Sequence, residues 1–344
     1  MSVTAFPRPA TERITWAGSA PFLIAHLVPF AAIITGVTLR SVVLCASLFV
    51  VRMFFITAGY HRYFSHRSFK VNRLVQALFA FGGTTAVQKG PLWWAAHHRA
   101  HHRWTDTEQD PHTPLSGFWW SHVGWILSDR YKATDFEAVA DLSRFPELRF
   151  LERFDWIGPW LLALATFLLA GWSGLVVGFF FSTVLLWHAT FSINSLAHVL
   201  GRRRYATADT SRNSPLLALI TLGEGWHNNH HHFPSSAKQG FFWWEIDVSW
   251  YVLWALSVVR IVKEPRCPPA SVKAGPLLRE GTFDRGMFRS FEAKASRVLA
   301  ASRHGAEEVQ AKRAALHELM VSARAAADDL AKSTRRRKPQ GDPS

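Results

Sequence analysis

The chain has 344 residues, of which 49% are hydrophobic, a share that an ordinary globular protein could also have. Its 16 Trp and 26 Phe accompany a formal net charge of +14, and its apolar residues are clustered rather than evenly spread. This clustering argues against a soluble two-domain protein and favours one membrane-embedded unit with a polar tail. The two cysteines, Cys45 in an apolar run and Cys267 in a proline-rich stretch, exclude a disulfide framework.

Four nearly uncharged runs dominate the first 200 positions. A bilayer core requires about 20 helical residues, so we predict four membrane-spanning helices in two hairpins, at residues 16–39, 42–59, 156–170 and 175–197. Because the first run is long enough to span, we expect no cleaved signal peptide. Arg52 lies within the second run and must therefore face protein, water or a polar ligand rather than lipid.

Charge predicts how these helices are oriented. The hairpin turns carry only Arg40, whereas Lys and Arg are concentrated between and after the two pairs of runs. By the positive-inside rule, both termini and all histidine clusters face the cytoplasm. We expect an integral protein of the bacterial inner membrane.

Two weaker apolar stretches, residues 75–87 and 240–262, are rich in Gly and Thr or in Trp. Tryptophan-rich amphipathic segments tend to lie at the level of the lipid headgroups. We therefore predict two helices that form a cytoplasmic cap over a metal site. A fifth span at residues 241–262 is the alternative for the second stretch.

The last part of the chain differs in composition. We expect a membrane domain at residues 1–264, a Pro- and Gly-containing linker at 265–289, and a basic Ala/Arg-rich helical tail at 290–344. The tail has good helix propensity, and contact with anionic lipid is an alternative to simple solvation. Its charge comes without a motif for reading bases, so nucleic acid is not an expected partner.

Histidines form three clusters in the sequence motifs HRYFSH, HRAHH and HNNHH. They contribute His61 and His66, then His98, His101 and His102, then His227, His230 and His231. An α-helix turns about 100° per residue, so the members of HRAHH lie within one narrow arc, as do those of HNNHH. A structural zinc takes about four ligands, so eight imidazoles indicate a pair of metal ions.

The first motif does not follow this geometry. His61 and His66 are five residues apart and would diverge by about 140° on a regular helix. Either each serves a different metal, or the helix is distorted there. Asn194 and His198 are four residues apart at the end of the fourth run, on one helical face, and add a ninth imidazole and an amide.

A ligating histidine is neutral and usually donates its other ring N–H to a carboxylate or carbonyl. Acidic residues near the clusters are natural partners: Asp106, Glu108, Asp110 and Glu224. Imidazole suits several metals. Two ions beside a hydrophobic cavity favour iron that activates O2 against an unactivated C–H bond.

The other histidines are interpreted more simply. We expect His112 and His122 as candidate outer partners of the ligands, and His97 and His232 as neighbours that break the ligand spacing. Ordinary polar side chains are expected for His26, His188, His304 and His317.

With these motifs the chain resembles the membrane fatty acyl desaturases, especially the stearoyl-CoA desaturase type. The matching stretches, within residues 15–262, are ITAGYHRYFSHRSFK, HRAHHRWTDTEQDPH, FWWSHVGWIL, INSLAH and GEGWHNNHHHFP. The resemblance implies an all-α integral membrane fold of four helices with a cytoplasmic cap that holds two irons. The implied ligands are His61, His66, His98, His101, His102, His198, His227, His230 and His231, with Asn194 bound through a water.

The resemblance also implies residues around the bend of an acyl tunnel, namely Gln88, Trp94 and Thr190. Met53 lies two helical turns before His61, and we predict that it limits the length of the substrate. Where animal enzymes have Trp-Ala-Arg-Asp, this chain has Trp94 followed by Ala95, Ala96 and His97, which weakens the inference of a CoA handle.

We therefore expect an O2-dependent desaturase that introduces a cis double bond, at carbon 9, into an acyl thioester or an acyl lipid. An acyl carrier protein is a further candidate carrier. Since no fused cytochrome b5-like domain is evident, electrons must come from a separate ferredoxin, cytochrome b5-like protein or flavoprotein reductase. The alternatives are an alkane or lipid hydroxylase of the same superfamily, and a membrane metal transporter or sensor. Transporters usually place such ligands within their spans.

Overall fold

The computed structural model describes residues 14–278, which form an all-helical unit with no β-strand beyond isolated bridges. The longer helices are Trp16–Leu27, Leu39–Phe54, Arg73–Thr84, Pro91–Trp104, Pro146–Arg153, Ile157–Ser173, Ser182–Ser195 and Val248–Val258, with π-helices at Phe55–Ser65 and Gly174–Phe181. Short helices and 3₁₀ turns cover Val28–Ala31, Ala32–Thr35, Pro114–Ser116, Phe118–His122, Gly124–Leu127, Asp129–Tyr131, Ala140–Ser143, Leu196–His198, Pro215–Ile220, His227–His232 and Ala270–Lys273. The predicted tail at residues 290–344, together with residues 279–289 of the predicted linker, lies outside the described residues.

Within residues 14–278, three helical stretches are long and apolar enough to cross a membrane: Gly18–Thr35, Leu39–Ser65 and Ile157–His198. The sequence predicted four spans. The third stretch has 42 residues, which would be about 63 Å long if it were straight, about twice the thickness of a bilayer core.

That third stretch is not one straight helix. Ala170 (φ −145°) and Gly171 (φ +60°) have non-helical backbone angles. A Cβ placed on Gly174 would lie 2.2 Å from the carbonyl oxygen of Thr166, eight residues earlier. Such an approach requires the chain to turn back at Gly171, where the sequence predicted the second hairpin turn.

The first turn lies earlier than predicted. The sequence placed it at Arg40 and Ser41, but the chain breaks at Gly36 (φ +72°) and the next helix begins at Leu39. Thr38 caps that helix: its hydroxyl accepts from the Ser41 N–H at 3.1 Å, and the Ser41 hydroxyl accepts from the Thr38 N–H at 3.0 Å. This reciprocal cap draws Arg40 and Ser41 into the first helical turn.

Arg52 is 1% exposed and faces protein, as its position in an apolar run required. Its guanidinium donates to Thr183 Oγ1 (2.7 Å), Ser182 Oγ (2.5 Å) and the carbonyl of Thr85 (3.2 Å). Two hydroxyl groups and a carbonyl thus accept hydrogen bonds from the buried guanidinium. The bonds to Ser182 and Thr183 connect the helix Leu39–Phe54 to the helix Ser182–Ser195.

The stretch at residues 240–262 contains only one helix, Val248–Val258, of 11 residues. At 1.5 Å per residue it is about 16 Å long, too short for the fifth span considered above. Trp243 and Trp254 remain exposed on the surface of this segment, at 85% and 57% of their area. In the other predicted cap segment, the helix Arg73–Thr84 packs against the π-helix Phe55–Ser65.

Candidate metal centre

The nine histidines predicted as ligands lie in two adjacent groups. The five-histidine group consists of His61, His66, His98, His102 and His230, and the four-histidine group consists of His101, His198, His227 and His231. In each group the candidate ligand atoms all lie within 4.8 Å of one another. The rings of His102 and His231, one from each group, stack at a centroid distance of 4.5 Å.

Helix geometry distributes the two HxxHH motifs between the groups. On the helix Pro91–Trp104, His98 and His102 belong to the five-histidine group and His101 to the other. On the short helix His227–His232 the assignment is reversed, because His227 and His231 share the four-histidine group and His230 leaves it. Pairs four residues apart share a group, so each motif contributes histidines to both of the adjacent groups.

The π-helix Phe55–Ser65 resolves the alternative left open for His61 and His66. The N–H of His66 donates to the carbonyl of His61 at 3.2 Å, an i→i+5 bond that widens the turn. Residues five apart then face the same side, and both rings lie in the five-histidine group, 4.9 Å apart. The distorted helix is therefore the correct alternative. The helix continues beyond the predicted apolar run at residues 42–59 and ends at Ser65.

The spacing of the ring nitrogens in the five-histidine group fits a metal ion. Successive Nε2 atoms are 2.8 Å apart for His66 and His98, 3.1 Å for His98 and His102, 2.9 Å for His102 and His230, and 3.0 Å for His230 and His61. Two nitrogens at right angles, each about 2.1 Å from an ion, are about 3.0 Å apart. A tetrahedral site would separate them by about 3.4 Å.

Hydrogen bonding within the protein cannot explain this arrangement. Each Nε2 has one in-plane position, which holds either a proton or a lone pair. The Nε2 atom of His98 faces two neighbours, and so does that of His230. One position cannot serve two hydrogen bonds, whereas a shared ion would satisfy all five nitrogens.

The four-histidine group also has nitrogen atoms available to bind a metal ion. The Nε2 atom of His231 is buried and has no hydrogen-bond partner among the described residues. The Nε2 atoms of His198 and His227 lie 3.1 Å apart. A buried polar atom without a partner is costly, so these residues too fit a metal ion.

Carboxylates hold several of these rings by their Nδ1 atoms. His101 Nδ1 lies 3.0 Å from Asp110 Oδ1, and His231 Nδ1 lies 3.0 Å from Asp209 Oδ2. His61 Nδ1 contacts Glu224. These contacts place the proton on Nδ1 and leave Nε2 free to bind a metal, which is the arrangement expected of ligating histidines.

Asp106 and Glu108 differ in position. Asp106 Oδ1 lies 3.6 Å from His198 Nδ1, beyond hydrogen-bond distance, while the hydroxyl of Thr210 is nearer, at 3.1 Å. Glu108 is exposed at the surface. Of the four acidic partners predicted from the sequence, Asp110 and Glu224 make the expected contact.

A buried ion network lies behind Glu224. Arg62, with 0% of its area exposed, donates to Glu224 Oε1 at 3.0 Å, to Asp247 Oδ1 at 2.9 Å and to the carbonyl of Ala237 at 2.8 Å. Gly223 has φ +123°, and a Cβ there would lie 2.3 Å from Asp247 Oδ1. Gly223, the first glycine of the GEGWHNNHH motif, is therefore required for this network to form.

Burial and neighbouring charge set the protonation of the centre. Burial lowers the pKa of His98 well below its usual value, and the charges of neighbouring histidines lower it further. The pKa values of His66, His101, His102, His227 and His230 are lowered in the same way. Burial alone would raise the pKa of Glu224, but His61 and Arg62 hold it below its usual value. The rings of these six histidines are therefore neutral at physiological pH, the state that binds metal.

A cavity opens directly onto the two groups. It is lined by Met53, Ile56, Thr57, His61, Trp94, His98, Thr190, Ile193, Asn194, Thr221, Glu224 and His227. Trp94 stacks on His98 at 5.0 Å, and the side-chain amide of Gln88 donates to Thr190 Oγ1 at 3.1 Å. Of the predicted tunnel residues, Met53, Trp94 and Thr190 line the cavity, and Gln88 reaches it through Thr190.

The remaining histidines lie outside both groups. His112 packs on His101 with a centroid distance of 4.2 Å, and its pKa falls to about 3 because it is buried. His122 Nε2 lies 3.0 Å from His188 Nδ1, and His188 Nε2 lies 3.0 Å from His26 Nε2. These three form a hydrogen-bonded row. His97 and His232 bond to backbone carbonyls, and His304 and His317 lie outside the described residues.

Sequence reasoning missed Asp209, Gln239 and the pair of Arg62 with Asp247. Asp209 lies in a loop more than 20 residues before its partner His231, so no periodic pattern connects them. Arg62 directly follows His61 at the end of a long apolar run, and that position was a signal that a buried acid must be nearby.

Comparison with known proteins identifies the family. The sequence profile described as "Fatty acid desaturase" matches residues 38–269. Acyl-CoA C20 Delta5-desaturase of Anemone leveillei is 37% identical over 67% of this chain and 75% of the relative. The sn-2 palmitoyl-lipid 9-desaturase of Nostoc sp. (strain 36) is 40% identical over 61% and 75%. Delta-9 acyl-lipid desaturase 2 of Arabidopsis thaliana is 42% identical over 62% and 70%. The chain belongs to the membrane fatty acid desaturases, oxidoreductases that act on acyl-CoA or acyl-lipid substrates.

Proposed function

We propose that the protein is an O2-dependent fatty acyl desaturase that introduces a cis double bond with a histidine-ligated di-iron centre. The observation that carries this proposal is the pair of adjacent histidine groups at the wall of the cavity. Nine imidazoles provide too many donors for one structural zinc. The relatives reported above are all desaturases, so the hydroxylase alternative is not favoured.

One iron would be held by the five-histidine group and the other by the four-histidine group, with Asn194 contributing through a water. Asn194 lines the same cavity as His61, His98 and His227, which supports that role. When bound, the iron pair would supply the oxidation by O2 that removes two hydrogens from the acyl chain. The histidines act in this proposal as ligands and not as general bases.

The protein's own contribution is position. The lining of the cavity includes apolar and hydroxyl side chains as well as the histidine rings, and it would hold chosen carbons of the chain against the centre. The ring of Trp94, which stacks on His98, would lie beside the acyl chain. Asp110, Asp209 and Glu224 would keep the protons on Nδ1 of their rings and so keep the ligand nitrogens free.

We propose that the new bond forms at carbon 9 of a saturated chain carried as a thioester. Relatives named as 9-desaturases support the position, whereas others are named for carbons 5 and 7. Both acyl-CoA and acyl-lipid enzymes occur among them. A lipid ester is therefore the competing carrier. The sequence Trp94-Ala95-Ala96-His97 supports this alternative, because it lacks the Arg and Asp that the animal enzymes have at this place.

For the membrane arrangement we propose four spans in two hairpins, with both termini and the histidine groups on the cytoplasmic side of a bacterial inner membrane. The reversal at Gly171 supports division of the long third stretch into two spans. The excess of Lys and Arg between and after the pairs supports the orientation. Electrons would come from a separate ferredoxin, cytochrome b5-like protein or flavoprotein reductase.

Expression in a desaturase-deficient host tests this function. We expect gas chromatography with mass spectrometry to show a monounsaturated product and to locate its double bond. The purified protein should contain about two irons, one for each group. The variants His101→Ala and His230→Ala remove one ligand from each group and should abolish the product.

His232→Ala is the matched control. His232 adjoins His231 in sequence but stacks on Tyr205 at 4.0 Å and belongs to neither group, so this variant should retain activity. Unchanged lipids in the presence of the wild-type chain and a working reductase would reject the proposal. A hydroxylated product would favour the hydroxylase, and metal uptake by vesicles without O2 consumption would favour a transporter.

A further inference from the structure

Gln239 occupies a fixed position between two histidines of the five-histidine group. It is 1% exposed. Its backbone N–H donates to Asp247 Oδ2 at 2.7 Å, and its carbonyl accepts from the side-chain amide of Asn229 at 3.0 Å. Because the backbone is held at both sides and the residue is buried, the side chain is confined beside the two rings.

That amide faces the Nδ1 atoms of both rings. Nε2 of Gln239 lies 3.4 Å from His61 Nδ1 and 3.4 Å from His230 Nδ1. Oε1 of Gln239 is buried and has no hydrogen-bond partner among the described residues. Since the oxygen and nitrogen of an amide are interchangeable in shape, which one faces the rings is decided by the protons on those rings.

Metal binding through Nε2 fixes those protons. A neutral imidazole that uses Nε2 as a ligand carries its proton on Nδ1. The Nδ1 proton of His61 is taken by Glu224. The Nδ1 proton of His230 then points at the NH2 group of Gln239, so two donors face each other and the carbonyl oxygen stays unused. Rotation of the amide by half a turn gives His230 an acceptor.

We propose that Gln239 is a positioning residue of the five-histidine group, whose carbonyl oxygen accepts the Nδ1 proton of His230 when His230 binds a metal. This inference rests on the proposed di-iron function. The amide orients the ring and fixes its proton, as carboxylates do for His61, His101 and His231. Because an amide is neutral, it does so without adding a second negative charge beside Glu224.

Metal titration of the full-length protein tests this role. Metal-depleted protein in detergent would be titrated with Fe(II) without oxygen, and the wild type should bind two ions. Gln239→Leu removes the acceptor, and we expect one ion to bind about 10- to 100-fold more weakly while the other is unchanged. Gln239→Glu keeps an acceptor and should bind that ion at least as tightly as the wild type.

Gln76→Leu is the control for loss of a buried amide. Gln76 is 2% exposed, accepts from the Tyr63 hydroxyl at 2.8 Å and lies in neither histidine group. Any loss of stability in this variant should leave both iron affinities unchanged. Wild-type affinity for both ions in Gln239→Leu, or an equal loss in Gln239→Glu, would overturn the role of Gln239.

A spectroscopic measurement covers the case in which Gln239→Leu does not fold. Mössbauer spectra of the wild type and the nearly isosteric Gln239→Glu, both loaded with ⁵⁷Fe(II), should differ in one ferrous doublet and coincide in the other. Identical spectra would overturn the inference. If the wild type binds no iron, the proposed function fails together with it, whereas two bound irons with indifferent variants refute only the role of Gln239.

Discussion

The two histidine groups use the same donor atom in different electrostatic surroundings. In the five-histidine group, Glu224 behind His61 is paired with Arg62, and the amide of Gln239 faces His230. In the four-histidine group, the ion-pair partners of Asp110 and Asp209 are histidine rings. A guanidinium is always charged, whereas a buried imidazole is not. Glu224 therefore has a permanent cation beside it, shared with Asp247, whereas Asp110 and Asp209 are paired only with titratable rings.

The largest effect is expected from Arg62→Gln. Removing the guanidinium leaves Glu224 and Asp247 buried without their cation, which should lower the free energy of unfolding by about 3–5 kcal/mol. Thermal unfolding in detergent, with and without metal, measures the change. The loss should appear in both states, because the network does not depend on a bound ion.

Lys70→Gln is the matched control, since its ion pair with Glu264 is exposed on both sides. Exposed pairs contribute little, so its unfolding should stay close to that of the wild type. An Arg62→Gln protein as stable as this control would show that the five-histidine group is not held by its ion network.

The next largest effect is expected from Asp209→Asn, which probes the four-histidine group. The neutral amide no longer balances the metal through His231, so one of the two ions should bind about 10- to 100-fold more weakly. Anaerobic titration with Fe(II) measures both affinities. Stability of the metal-free protein should change much less, in contrast to Arg62→Gln.

Asp135→Asn controls for the local turn. Asp135 Oδ1 accepts from the backbone N–H groups of Glu137 and Ala138 as Asp209 Oδ1 does from Ser211, but it is exposed and in neither group. If Asp209→Asn lowered the affinity for both ions equally, the proposed difference between the two groups would be wrong.

A smaller effect concerns pH in the metal-depleted protein. The pKa of His112, which packs on His101, falls from 6.5 to about 3 because the ring is buried. Below pH 6.5 the unfolded chain binds a proton that the folded protein refuses, so stability falls as the pH drops from 6.5 towards 3. One such proton contributes up to about 1.4 kcal/mol per pH unit.

His112→Phe should therefore make the curve of stability against pH shallower by up to this slope. Unfolding midpoints measured between pH 7.5 and 5 test it, and the two proteins should have the same slope above pH 7, where both are neutral at this position. Parallel curves throughout would mean that His112 is protonated as easily in the folded protein as in the unfolded chain.

The sequence predicted the histidines that come together in the two groups better than it predicted their surroundings. Helical spacing predicted that His98, His101 and His102 share one face, but the division between two groups depends on how two separate helices meet. Composition predicted the long apolar runs, since burial in lipid requires them. The turn at Gly36 was misplaced because the cap between Thr38 and Ser41 outweighs the signal of one charged residue.

Contacts between distant loops were beyond prediction. Asp209 and Gln239 reach the histidines from segments without periodicity, and their positions follow from backbone hydrogen bonds made only in the folded protein. The π-helix at Phe55–Ser65 was predictable only in part. The spacing of His61 and His66 showed that a regular helix would not suffice, but it did not say which distortion would occur.

The smallest effect on the protein, and the most specific, is expected from Met53→Ala. Met53 is 1% exposed and lines the cavity that His61, His98 and His227 reach from the two groups. If Met53 closes the end of the cavity, shortening its side chain extends the cavity, and longer acyl chains should be accepted while the double bond keeps its distance from the carboxyl end. Mass spectrometry of products from mixed saturated substrates measures both quantities.

Val50→Ala is the control, because Val50 lies on the same helix but is 48% exposed and does not line the cavity. If Met53→Ala gives the same product lengths as Val50→Ala, the closed end of the cavity lies elsewhere. If the double bond moves instead, Met53 positions the chain along the two groups rather than limiting its length.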